Sequence, residues 1–183
     1  MRKIIQIIVV LSAVSFISGA CLVFVYSYTQ PRILENQKKE VKEAIFKVFP
    51  GAASYETVNA GGMEVFLTKD AAGKQMGYAF IAKGNGYQGE IKLMAAISAD
   101  LKTILGIEIL ESQETPGLGQ EITSPNFRKQ FMRLATLPEI ICVKGEKPDK
   151  PNEIEAITGA TISSRAVVSI LNDGVKQLKE NIK

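Results

Sequence analysis

A chain of 183 residues, 46 % of them hydrophobic, fits one globular domain of ordinary size plus an appendage. The formal charge is +3, and once Arg2 and Lys3 are set aside the remaining charges almost balance, which excludes the strongly basic surface of a nucleic-acid binder. Histidine is absent, which removes the usual general base, the usual zinc ligand and every Ser/His or Cys/His nucleophile at once; the two cysteines, Cys21 and Cys142, cannot alone ligate a four-cysteine cluster, so a redox role needs an organic cofactor.

From Ile4 to Tyr28 no charge interrupts a run dominated by Ile, Val, Leu and Phe. As a helix it reaches about 37 Å at 1.5 Å per residue, enough to cross a bilayer. A cleaved signal peptide competes, given the basic start and the small residues Ser18-Gly19-Ala20. The apolar run nevertheless continues through Leu22 to Tyr26, which favours an uncleaved anchor over residues 1–30. Arg2 and Lys3 predict a cytoplasmic N-terminus, a single pass through the plasma (inner) membrane, and an extracytoplasmic remainder. Arg32, Lys38, Lys39 and Lys42 oppose that bias, although Glu35, Glu40 and Glu43 are mixed among them. Ser12, Ser15 and Ser18 recur every third residue, marking either a helix–helix face or three tolerated serines.

Residues 31–50 read as an amphipathic connecting helix with Ile33, Leu34, Val41, Ala44, Ile45, Val48 and Phe49 on its apolar side. Pro31 is expected to start it as a new segment, and Pro50-Gly51 to end it. The expected domain then fills residues 51–183. Apolar or alternating runs at 55–58, 64–68, 76–82, 91–97 and 104–110 predict strands, with turns at Ala71-Ala72-Gly73-Lys74 and Asp100-Leu101-Lys102-Thr103. A polar loop at 111–120, a short helix around 125–134 and an irregular stretch at 144–152 follow. The last helix is expected over 163–181, with Val167, Val168, Ile170, Leu171, Val175 and Leu178 facing a core. The class is α+β: one transmembrane helix, then an antiparallel-sheet domain with a C-terminal helix.

The chemistry concentrates at Thr158-Gly159-Ala160-Thr161, with Ser163 and Ser164 opening the last helix. Free N–H groups at a helix start, together with four nearby hydroxyls, suit a phosphate, and Gly159 and Ala160 leave room for a bulky group. Arg165 adds positive charge if it turns inward. The same residues also suit a plain N-cap, and on this physics the two readings stand level.

Glu155-Ala-Ile-Thr-Gly-Ala-Thr161 resembles the flavinylation motif of the FMN-binding domain family, with Glu155 where that motif opens on aspartate. The resemblance implies that Thr161 is joined through its hydroxyl to the phosphate of FMN by a dedicated flavin transferase using FAD. Glu114-Thr115-Pro116-Gly117-Leu118-Gly119 is similar to the family's loop beside the isoalloxazine ring, and Gly86-Tyr87-Gln88-Gly89 to a turn next to it. Cofactor contacts are accordingly expected from Thr158, Gly159, Ala160, Thr161, Ser163, Ser164, Glu114, Thr115, Gly117, Leu118 and Gly119, with no metal and no catalytic side chain.

The anchor is similar to the family's membrane-bound branch. That branch implies an electron carrier in a complex of the Rnf kind, which links ferredoxin and NAD oxidation–reduction to ion translocation, with other membrane subunits as partners. A related branch, in sodium-pumping NADH:quinone reductases, has longer chains with insertions. The remaining alternative is a membrane-tethered extracytoplasmic binding module without redox chemistry. Lys83, Lys92 and Lys129 read as solvated charges, and Cys142, among Ile140, Ile141 and Val143, as a small buried residue.

Overall fold

The computed structural model describes residues 2–182; Met1 and Lys183, the outer limits of the expected anchor and domain, lie outside the described residues. The chain forms two compact units, residues 1–41 and 42–183. In the first, helix α1 (Arg2–Val48) carries the apolar run, and its large side chains from Ile4 to Tyr28 are exposed, as suits a helix whose solvent is lipid. Pro31 does not begin a new segment. It sits inside α1, where its missing N–H costs one backbone hydrogen bond without ending the helix. At the end of the apolar stretch Arg32 donates to the Tyr28 hydroxyl at 2.8 Å and lies 4.8 Å from the centre of that ring.

The second unit is built on an antiparallel meander of six strands in sequential order: β1 (Ser54–Ala60), β2 (Met63–Lys69), β3 (Gln75–Asn85), β4 (Glu90–Ser98), β5 (Thr103–Ser112) and β6 (Leu134–Ala135). Each predicted strand is present and extended by one to three residues at its ends. Both predicted turns are closed by an aspartate: Asp70 accepts from the N–H of Ala72 and Lys74, and Asp100 from that of Lys102 and from the Ser98 hydroxyl.

Between β3 and β4, Gly84, Gly86 and Gly89 have the spacing of a dinucleotide-binding turn. They stand in an antiparallel hairpin with no helix following, so the spacing lacks the strand-to-helix context that gives it meaning.

Strand alternation divides the side chains between two layers. Val65, Phe80, Ala82, Leu93, Ala95 and Ile107 face helix α3 (Thr161–Asn181), whose Val167, Leu171, Val175 and Leu178 complete that core. The approach is close: a Cβ on Gly174 would lie 2.7 Å from the Phe80 ring and 3.0 Å from Ala82. On the opposite face, Phe66 packs edge-on to Tyr55, which packs edge-on to Phe46, and a Cβ on Gly77 would meet Phe49 at 3.2 Å. The residues read from sequence as the end of a connecting helix, Ala44, Ile45, Val48 and Phe49, are therefore buried. β4 is covered on both sides, so its run from Leu93 to Ile97 is wholly buried.

Beyond β5 the sequence reading is refined. The helix expected over 125–134 is a short α2 (Pro125–Lys129), capped by Ser124, and a 3₁₀ turn (Gly119–Thr123) precedes it from the end of the expected polar loop. Leu134 and Ala135 then form β6 instead of ending a helix. The irregular stretch is bracketed by β7 (Ile141–Val143) and β8 (Glu153–Glu155), a parallel pair too short for periodicity to announce.

Candidate functional site

The hydroxyl-rich segment is placed by a turn over residues 157–160, closed by the Ala160 N–H donating to the Ile157 carbonyl at 2.9 Å. Gly159 takes φ +83°, a conformation open to glycine at little cost. Ser164 is fully buried beneath the turn: its hydroxyl accepts from the Ile157 N–H and donates to the Ala160 carbonyl, both at 3.0 Å.

The N-cap is Ala160, which has no side-chain acceptor, and the first intrahelical bond runs from the Ser164 N–H to the Ala160 carbonyl. The N–H groups of Thr161, Ile162 and Ser163 thus precede the helical ladder with no side chain capping them. Of the two readings of this segment, the side-chain cap is absent. What remains is the positive end of a 21-residue helix with its donors free.

These donors open on a cavity of about 460 Å³ lined by Tyr87, Glu114, Thr115, Leu118, Gly119, Lys144, Gly159, Ala160, Thr161, Ile162 and Ser163. All three sequence motifs meet here, and one side chain ties them together. Glu114, 5 % exposed, accepts from the N–H of Tyr87 at 2.7 Å and of Gln88 at 3.0 Å on one oxygen, and from the Ser163 hydroxyl at 2.6 Å on the other. Burial alone pushes the Glu114 carboxyl up, but the Ser163 hydroxyl and the N–H groups of Gln88, Tyr87 and Gly89 outweigh it and hold the group below the usual carboxylate range.

Thr115 adds a second tie, its hydroxyl 2.5 Å from the Gln88 side-chain amide. A Cβ on Gly119 would lie 2.7 Å from the Ser163 oxygen and collide with the Glu114 carboxylate, so only glycine fits. Leu118 lies across the loop from Gly159, where an added Cβ would stand 3.5 Å from its Cδ2.

Of the residues expected at the cofactor, Gly159, Ala160, Thr161, Ser163, Glu114, Thr115, Leu118 and Gly119 line the cavity, while Thr158, Gly117 and Ser164 do not. Thr158 is exposed on the turn, Gly117 supplies a left-handed φ of +72°, and Ser164 braces the turn from below. Arg165 is exposed and stands off the cavity. The Cys142 thiol is pushed up by burial and only partly drawn back by the charge of Arg165. Three lining residues escaped notice as contacts: Ile162, Tyr87, present only as part of a turn, and Lys144, hidden in a stretch without periodicity. Among the described residues no cluster of acidic or cysteine side chains has the form of a metal site.

The cavity fits a flavin mononucleotide: its volume lies within the roughly 300–1,000 Å³ of small-molecule sites, with anion donors at one end and Leu118, Tyr87 and Ile162 exposed along its mouth. Residues 86–176, which hold all three motifs, match the family described as FMN-binding domain, and this class of flavin-carrying domain is the one that fold and site define. The chain is 35 % identical to the G subunit of the ion-translocating oxidoreductase complex of Methanosarcina acetivorans over 95 % of its own length and 94 % of the relative's. It is 33 % identical to the G subunit of the sodium-translocating ferredoxin:NAD oxidoreductase complex of Acetobacterium woodii, over 96 % and 90 % of the two chains. The chain belongs to the family of G subunits of ion-translocating oxidoreductase complexes. Among solved structures, the C subunit of the sodium-translocating NADH-quinone reductase of Parabacteroides distasonis is similar at a TM-score of 0.58 and 25 % identity, covering 66 % of this chain and 63 % of that one.

Proposed function

We propose that this chain is the electron-carrying subunit of a membrane-bound, ion-translocating ferredoxin:NAD oxidoreductase, and that it holds FMN through a phosphoester on Thr161. One observation carries the attachment: Thr161 is the first residue of a helix start that no side chain caps, on the wall of a cavity sized for a flavin. The chain's full-length likeness to G subunits carries the rest. A C subunit of a sodium-pumping NADH:quinone reductase is the lesser reading, because that likeness spans only part of both chains. A tethered module without redox chemistry leaves the match to an FMN-binding domain without a purpose.

Flavin supplies one- and two-electron chemistry; the protein supplies position and electrostatics. The helix N–H groups would hold the phosphate, the Leu118 loop and Tyr87 would bound the ring, and Glu114 fixes the walls relative to one another. Outer-sphere electron transfer needs no proton-transferring side chain, which accords with a site that contains no histidine. By resemblance, a flavin transferase loads the site from FAD. In that transfer the Thr161 oxygen would take the phosphorus on the flavin side, the pyrophosphate P–O bond would break, and AMP would leave as the hydroxyl proton is released.

The test is retention of flavin after denaturation. The wild-type chain, matured with its transferase, should be heavier by one FMN less one water and fluoresce on a denaturing gel. Thr161→Val should fold and show neither. Covalent flavin on that variant would overturn the assignment.

A further inference from the structure

Among the described residues, Lys144 is the one cationic side chain on the cavity wall. It is exposed and makes no ion pair among the described residues, so its ammonium is available to an anion in the cavity. The other charged group of the wall, Glu114, has both oxygens engaged by protein donors. Backbone register says which end of the cavity Lys144 serves. Val143 pairs with Glu155 across the parallel strands and its carbonyl accepts from the Ala156 N–H at 2.8 Å. Lys144, the residue after β7, therefore leaves the ladder next to Ala156, immediately before the 157–160 turn that delivers Thr161. Lys144 stands at the attachment end.

We infer that Lys144 is a phosphate-recognition residue, the cation that holds the flavin's phosphate at this site before and after the ester forms, so that free FMN binds here more tightly than riboflavin. The inference rests on the flavin reading of the cavity. Helix-start N–H groups supply directed donors but only a fractional charge, and the phosphodiester retains a full negative charge once Thr161 is esterified. A lysine ammonium on a flexible stem suits that task because it needs no bidentate geometry. Its partners are then the phosphate oxygens, which leaves the ring's environment to Tyr87 and Leu118.

The experiment uses the full-length chain in detergent with Thr161→Val, so that flavin binds reversibly, and compares the affinities of FMN and riboflavin by quenching of flavin fluorescence. With Lys144 present, FMN should bind more tightly than riboflavin, and the preference should shrink as salt rises. Adding Lys144→Gln should weaken FMN roughly 3- to 10-fold, the range of one charge-assisted contact, and leave riboflavin unchanged; Lys144→Arg should restore most of the preference. A preference for FMN that survives Lys144→Gln, an equal loss for both flavins, or no preference at the outset would overturn the inference. A second readout is the ³¹P resonance of the flavinylated chain with Thr161 intact, which should move in Lys144→Gln; an unmoved resonance counts against it. Failure of the flavin reading itself shows separately, as a chain that carries no flavin before denaturation and binds neither FMN nor riboflavin.

Discussion

Glu114 is a buried carboxylate with no cation beside it, stabilised instead by backbone N–H groups from the Gly86–Gly89 turn and by the Ser163 hydroxyl at the start of α3. Removing its charge leaves those donors facing a weaker or misdirected acceptor, so Glu114→Gln should destabilise the domain by about 1–3 kcal/mol at neutral pH. The sign with pH follows from the carboxyl being held below its ordinary value of 4.5. The ionised form contributes stability that is fully present above that value and is lost as pH falls below it, through the folded-state pKa. Urea unfolding of the detergent-solubilised chain should show a wild-type advantage that is constant from pH 7 down to about 5 and narrows below. An advantage unchanged well below pH 4.5 would show that the charge of Glu114 is not what joins the three loops.

At the scale of elements, α3 and the sheet meet where glycine permits it. Gly174 presses on Phe80 and Ala82, and a Cβ on Gly84 would stand 2.7 Å from Ile170. Gly174→Val should force the helix off β3 and cost about 1–3 kcal/mol by overpacking, seen as a lowered urea midpoint with an unchanged slope. A neutral result would mean that the helix has slack along this face. That helix was legible in the sequence because all six residues read as its core face are buried, their spacing being set by helical periodicity alone. The five long strands were legible for the same reason, since alternation and bounding glycines are local signals. β6, β7 and β8 were not: two or three residues carry no period, and their pairing depends on where β5 and the 157–160 turn already lie. Lys144 and Tyr87 were hidden likewise, because their place at the cavity follows from register and hairpin geometry. The burial of Ala44, Ile45, Val48 and Phe49 also needed the sheet's second face, which no single segment announces.

For the molecule as a whole, the decisive quantity is the side of the membrane on which the flavin domain stands. The proposed partition has an anchor over residues 1–30 and a connecting stretch beyond it whose last part, from Ala44 to Phe49, already packs in the flavin domain, with the N-terminus cytoplasmic. Arg2 and Lys3 precede a span with no charge from Ile4 to Tyr28, while the basic residues that follow it are interleaved with acids and begin with Arg32, already engaged with Tyr28. Positive charge near a span's end is retained in the cytoplasm, and the uncompensated pair lies on the N-terminal side. Alkaline phosphatase fused after the last residue should therefore be active in cells, and a fluorescent protein fused there dark. Arg2→Glu with Lys3→Glu should move part of the population to the opposite state, because Lys38, Lys39 and Lys42 then dominate. A dark phosphatase fusion on the wild-type chain would place Thr161 and its flavin on the cytoplasmic side, directly accessible to soluble electron donors, and the carrier would then have to exchange electrons with partners on that side instead of across the membrane subunits.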